Sequence, residues 1–301
     1  PVEVTILTDA GSERDLCGLV TEVRQGGSDG GFAVYRLVIE SALAALSHRV
    51  TARVFTSTDV RSLSSRIIGE HLQANPVLAS SFTLVDRCSR DYPSHPFWMQ
   101  YNESDTDYLR RIWAREGISF VVLPAESSSS DHPQHALVLF DDPMTLDVNP
   151  SASARFHRAD GTEDTDAVTG WEAHRTLQSG SVSRSSWEQG SAAQHDLTEA
   201  VGSDQGGHGA ALASTLDDYR HEPHLEVREG QAFDEAILLR RQRKEQRTKA
   251  FSGQGSMRTF GAGTWFEMTQ HPVHDQGEAL DRQFVLLSVE VEAVNNLPKD
   301  L

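Results

Sequence analysis

Apolar and β-branched residues gather in short β-prone runs over residues 2–56: "VEVTIL", "CGLVTEVRQ", "FAVYRLVIE" and "RVTARVF". The turn-forming stretches "DAGS", "GGSDGG" and "ALAALS" separate the runs, a spacing that suits antiparallel hairpins closing into a barrel or sandwich. Gly26–Gly31 reads as a hairpin tip, since it lacks the strand, helix and glycine spacing of a phosphate-binding loop.

The period then changes. Val60, Leu63, Ile67, Ile68 and Leu72 recur at three and four, with Thr58 or Asp59 as the cap and Asn75-Pro76 as the stop. "SFTLVDR" returns to a strand, and "YPSHP" is a rigid loop leading into the most tightly specified stretch of the chain. There Phe97, Met99 and Tyr101 alternate with Trp98, Gln100 and Asn102, a strand pattern. Ser104 stands at an N-cap with Asp107 three residues on, able to reach back to the Ser104 N–H. Tyr108, Leu109, Ile112 and Trp113 share one helical face, and Arg110, Arg111 and Arg115 fall outside it. Gly117 is placed to end the helix at a left-handed residue, and "ISFVVL" resumes a strand.

Beyond residue 126 come a polar loop, a short buried strand "ALVLFDD", and strand-like alternation up to residue 188. Residues 190–209 are polar and glycine-rich, the composition of a loop. A third helix is expected over 231–250, followed by two closing strands in "GTWFEMTQHP" and "RQFVLLSVEVEAV". The pattern predicts a mainly β chain with α+β insertions: a first β-barrel at 1–56, an α+β segment at 57–144, and a second β-barrel at 145–301 holding the inserted helix. The chain opens directly on a strand pattern, as a trimmed first barrel would.

The charge narrows the function. A net charge of −17 argues against nucleic acid as a partner, because duplex binding leans on cationic contacts to phosphate. There is no run of 18 apolar residues, so no transmembrane helix is predicted. Cys17 and Cys88 are expected to be reduced thiols. Three pairs, His132/His135, His221/His224 and His271/His274, have a ligand-like spacing, yet each lies beside a proline and none has a completing ligand set. The acidic run Asp160–Asp166 lacks the glycine and terminal glutamate of a calcium loop. With no nucleophile elbow, Walker loop or His-Glu-x-x-His motif, no catalytic, metal or cofactor residue is nominated. Arg240, Arg241, Arg243, Lys244, Arg247 and Lys249 crowd six cations onto the third helix. They read as a solvated face near the C-terminal end of the helix dipole, or as a docking surface for an acidic partner such as a second copy of the chain.

"QYNESDTDYLRRIWAREGI" is similar to a signature of the VgrG family, the spike proteins of bacterial type VI secretion systems. Gln100, Tyr101, Glu103, Ser104, Tyr108, Leu109, Arg111, Gly117 and Ile118 match that signature in place, and Ile112 replaces its leucine. "GLVT" at 18–21, "YRLV" at 35–38, the Arg53-x-Phe55 pair leading into a helix, "LVLFDD" and "GTWFEMTQHP" resemble further family segments in order. The stretch "LDDYRHEPH" departs from the tyrosine–proline–glycine segment usual there. The family's oligonucleotide-binding-like domain and β-helix needle would lie beyond Leu301. The resemblance implies two phage tail-hub-like β-barrels in a structural hub, a homotrimer in the full-length protein that docks on a hexameric Hcp-like tube and carries effectors. Such a hub is cytoplasmic before firing and is then secreted by the machine. A prophage tail-hub or baseplate protein is the close alternative, and a β-barrel hydrolase the distant one. On this reading Arg111 pairs with Glu103 or Asp107, and Arg110 and Arg115 meet solvent or a neighbouring subunit.

Overall fold

A computed structural model describes the chain except for residues 8–12, 30–31, 126–132, 159–164, 189–191, 203–204, 223–229 and 294–301. It divides into two compact units. The first takes in Pro1–Ile112, Ile118–Thr169 and Gly255–Leu301, and the second Trp113–Gly117 and Gly170–Gln254.

The chain starts with β1 (Val2–Leu7), β2 (Glu13–Asp29) and β3 (Phe32–Glu40), an antiparallel meander in which β2 runs through Gly26–Asp29 of the expected hairpin tip and Asp29 pairs with Phe32; Gly30 and Gly31 lie outside the described residues. The stretch expected to be a turn, "ALAALS", is instead a helix, α1 (Ala42–Leu46). Alanine and leucine are the strongest helix formers, and burial of Ala42, Leu43 and Leu46 tips the balance. Next come β4 (Val50–Thr58), α2 (Val60–Ala74), α3 (Pro76–Ser81), β5 (Phe82–Asp86) and β6 (His95–Ser104). Asp59 caps α2 by accepting from the Arg61 and Ser62 N–H groups. Asn75 ends α2 and caps α3, with Pro76 at the first helical position, so the predicted stop is also a start.

α4 (Asp105–Glu116) follows β6 directly, and then β7 (Ser119–Pro124) and β8 (His135–Phe140). β4 and β6 pair antiparallel, while β8 runs between a parallel β5 and an antiparallel β7. β9 (Val148–Arg155) pairs late in the chain with β15 (Trp265–Thr269), which also takes the short β16 (Gln283–Val285). Leu63, Ile67, Ile68, Tyr108, Leu109, Ile112, Leu137 and Leu139 are fully buried, each contributing about 1.5–3 kcal/mol.

The second unit is built on β10 (Val168–Arg175), β11 (Ser181–Glu188), β12 (Ala193–Ala200), α5 (Gly206–Ala213), β13 (Asp217–His221), α6 (Gly230–Thr248) and β14 (Lys249–Gly255). β11 is flanked by an antiparallel β12 and a parallel β13. Phe233 and Ile237 of α6 pack with Val182 of β11 and with Val201.

Three expectations are corrected here. The loop expected over 190–209 contains β12, whose pairing with β11 gives a polar segment its backbone partners, and the start of α5. The helix expected to reach residue 250 ends at Thr248, whose hydroxyl bonds back to the Lys244 carbonyl; Lys249 and Ala250 belong to β14. The last closing strand shrinks to Gln283–Val285, and residues 286–293 lie outside any strand. Among the described residues the strands form six open sheets of two or three strands, and no helix is long and apolar enough to cross a membrane.

Candidate functional site

The signature stretch forms the β6–α4 junction in the first unit. Across β4, Phe55 pairs with Trp98 and Arg53 with Gln100, on the buried side. The register then shifts between Thr51 and Arg53, so that Tyr101 and Asn102 face one partner position, and Asn102 takes φ 50°. Such a bulge re-aims side chains and ends the pairing, and here it hands the chain to the helix.

At the start of α4, Asp105 has no exposed surface. Its carboxylate accepts from Arg49 Nε at 2.5 Å, Arg53 Nη2 at 3.0 Å and Gln100 Nε2 at 2.9 Å, and lies 2.7 Å from His71 Nε2. Glu70 takes the second nitrogens, from Arg49 Nη2 at 2.9 Å and Arg53 Nη1 at 2.6 Å. Gln100 completes the node by accepting from Arg53 Nε at 2.9 Å and donating to the Glu103 carbonyl at 3.1 Å. Two guanidiniums thus balance two carboxylates, and α2, β4, β6 and α4 meet in one network. Burial works to raise the Asp105 pKa, but the hydrogen bonds from His71, Gln100 and Arg49 outweigh it and hold the group at about 2.

Aromatic packing continues the node. Phe55 stacks on Tyr108 with ring centres 6.2 Å apart, and the Arg53 and Arg66 guanidiniums lie 5.0 and 5.1 Å from the Phe55 ring. Burial pushes the Tyr108 hydroxyl up to about 12. Arg111 clamps Glu103 through both Nε (3.1 Å) and Nη2 (2.5 Å), donates to the Met99 carbonyl and lies over the Tyr108 ring. Arg110 is exposed and lies over Phe120. Ser104 caps α4 by accepting from the Asp107 N–H at 3.1 Å. The predicted back-reach of Asp107 finds a different donor, the Ser104 hydroxyl, at 2.7 Å. Gly117 has φ 73°, the left-handed geometry its place demands. Gln100, Ser104, Tyr108, Leu109 and Ile118 are buried, whereas Tyr101 is 68% exposed.

A second carboxylate is used in the same way. Asp141 accepts from the N–H groups of Ser89 (3.0 Å) and Arg90 (2.8 Å) and from the Tyr92 hydroxyl (3.0 Å). These bonds outweigh burial and hold it at about 2. Both carboxylates are saturated with donors and tie segments together; neither is poised to move a proton.

The basic stretch of α6 is largely engaged within the second unit. Arg240 pairs with Glu222, Arg241 with Glu199 at 3.4 Å, and Lys244 with Asp218 at 2.8 Å, while Arg243 donates to the Ala114 carbonyl at 2.8 Å. Arg247 is exposed, and Lys249 lies over the Phe251 ring. The buried Arg184 holds Asp218 and Glu222 from the sheet side. Of the histidine pairs, His132 and His224 lie outside the described residues, as does most of the acidic run at 160–166. The His271 and His274 rings lie 4.5 Å apart between centres, tilted by 38°. His135 is buried, accepts from the Ala42 N–H at 2.9 Å, and is pushed down to about 4 by burial.

Nothing in the local sequence pattern singles out Arg49, Glu70, His71 or Asp105 as partners. One signal was available: Gln100 is a polar residue on the same strand face as Trp98, and a buried amide needs partners.

Residues 1–297 match the phage tail baseplate hub family, and the chain belongs to it. Its relatives are structural spike and hub proteins rather than enzymes. The type VI secretion system spike protein VgrG1b of Pseudomonas aeruginosa is 24% identical over 300 residues, covering 99% of this chain and 37% of that protein. VgrG1c of the same organism is 24% identical over 301 residues, covering 99% and 38%. The chain thus spans under two-fifths of the length of these relatives. In fold it is similar to the E. coli c3393 protein, a type VI secretion component with structural similarity to the T4 bacteriophage tail proteins gp27 and gp5. The TM-score is 0.58 at 16% identity, over 93% of this chain and 56% of that one.

Proposed function

We propose that this chain is the structural hub at the base of a type VI secretion spike. In this reading, segments 1–56 and 145–301 supply two hub-like barrels joined by the α+β segment 57–144. Three copies of the longer protein form a ring that sits on a hexameric, Hcp-like tube. The hub waits in the cytoplasm, leaves with the spike when the machine fires, and carries effectors where a cargo domain is attached.

The observation that carries the reading, beside family membership, is the Asp105 node. Six side chains, Arg49, Arg53, Glu70, His71, Gln100 and Asp105, lock two helices and two strands through charge-assisted bonds. A part that transmits force gains from such cross-bracing. The experiment is light scattering on the longer protein together with retention of the tube protein from the same gene cluster. Three copies and a retained tube protein are expected, and a monomer that ignores the tube would overturn the reading. The matched family is that of phage tail hubs, which also favours a prophage baseplate as a second setting. Retention of a phage tube protein in place of the secretion one would select it.

A further inference from the structure

His271 and His274, both half-buried, close the turn that follows β15 in the first unit. His271 Nδ1 accepts from the N–H groups of Val273 and His274, each at 3.3 Å, and the His271 carbonyl takes the Asp275 N–H at 3.0 Å. A side chain at a helix N-cap satisfies the first N–H groups in this way, and here Pro272 and a 3-10 turn, His274–Gln276, follow. Histidine is not among the usual caps, which are Ser, Thr, Asp and Asn. The two imidazoles also sit in the middle of a chain of rings. Phe156, just past β9, meets His271 edge-on at 4.7 Å, and His271 lies 4.5 Å from His274. His274 then meets Phe284 of β16 edge-on at 5.0 Å, and Phe284 continues to Phe266 of β15 at 5.8 Å. Gln270, immediately before, is held at φ 60°, a conformation that a residue other than glycine keeps only where its surroundings impose it. The closed turn is therefore biased towards opening once its fastening goes.

That fastening depends on a proton. An imidazole whose Nδ1 accepts is neutral and carries its hydrogen on Nε2. A second proton has to go onto Nδ1, where it meets two N–H donors and leaves both without an acceptor. We propose that this turn is an acid-opened latch: protonation of His271 turns Nδ1 from acceptor to donor, frees the Val273 and His274 N–H groups, and unseats the imidazoles that join Phe156 to Phe284. The charges acting on His271 are those of His274, which opposes its protonation, and Asp275, which favours it. On the neighbouring elements, Glu267 of β15 pairs with Arg282 at 3.2 Å, and Arg155 and His157 flank Phe156 in the chain. Burial first, and His274 second, hold His271 below its ordinary value. A base held down in this way favours the closed turn fully above the ordinary ~6.5, and stops doing so as pH falls through its lower, closed-state value. The latch goes beyond the hub reading and does not depend on it.

Amide hydrogen exchange between pH 7.5 and 5, corrected for the intrinsic rate at each pH, tests it. Protection at Val273 and His274 should fall by about tenfold per pH unit between ~6.5 and the closed-state value of His271, as one proton taken up on opening requires. Far-UV circular dichroism should still read the folded state at pH 5, and the amides of β9 should lose less protection than the two turn amides. His271→Asn keeps an acceptor for the same two N–H groups, in a turn that asparagine before proline favours, and does not titrate. Its protection at Val273 and His274 should be indifferent to pH. His274→Gln removes the charge that opposes His271, so the His271 titration, followed by its imidazole proton resonances, should move to higher pH. Protection at Val273 and His274 that is unchanged across the range overturns the inference. So does an equal loss in His271→Asn, or a loss shared equally by the β9 amides.

Discussion

Asp105 shows what a single residue contributes. Its fully buried carboxylate is matched by Arg49 and Arg53, which share only Glu70 besides, so removing its charge leaves one carboxylate for two guanidiniums and costs more than forming the pair contributed. Asp105→Asn is expected to lower unfolding stability by about 3–5 kcal/mol in urea titrations. Asp105 and Asp141 both lie below the ordinary carboxyl value of ~3.9 when folded. Their stabilisation is therefore whole above that pH and drains as the pH falls towards 2. His135 adds a separate limb. Its folded pKa of about 4 is below the ordinary ~6.5, so its contribution is full above pH 6.5 and lost as pH falls through 4. Melting temperature against pH should decline over that window, and His135→Gln should flatten the decline. At the β6 bulge, Asn102→Gly should be tolerated, whereas Asn102→Val should cost about 1–2 kcal/mol because of its positive φ.

Elements were legible where local signals agreed and illegible where a partner strand decided. The α2 stripe and its Asp59 cap were readable because both are encoded within one turn of each other. Asp59→Ala should cost about 1 kcal/mol in thermal or urea unfolding, by leaving the Arg61 and Ser62 N–H groups without their acceptor. α4 was readable for the same reason, from Ser104 to Gly117. β12 was not, since its one strong apolar residue is Leu197 and its strand state comes from the ladder with β11. The α6 cations were visible as a charge run, but their acidic partners, Glu199, Asp218 and Glu222, come from elsewhere in the chain. Spacing along one helix carries no information about such pairs.

At the scale of the whole molecule, a charge of −17 and exposed apolar side chains pull in opposite directions. Added salt screens the repulsion between copies and leaves apolar contact intact. Self-association measured by sedimentation should therefore tighten as sodium chloride rises from low to moderate concentration. A contact held chiefly by ion pairs would weaken over the same range.

The sequence by itself determined the strand-rich class, the capped helices and the family, because caps, alternation and a contiguous signature are properties of neighbouring residues. Only the tertiary structure decided that Arg49, Arg53, Glu70, His71, Gln100 and Asp105 form one node, since its members are up to 56 residues apart in the chain. It also decided which side of β6 is buried: alternation reveals that Met99 and Trp98 point opposite ways, but only packing determines that Trp98 is buried and Met99 exposed.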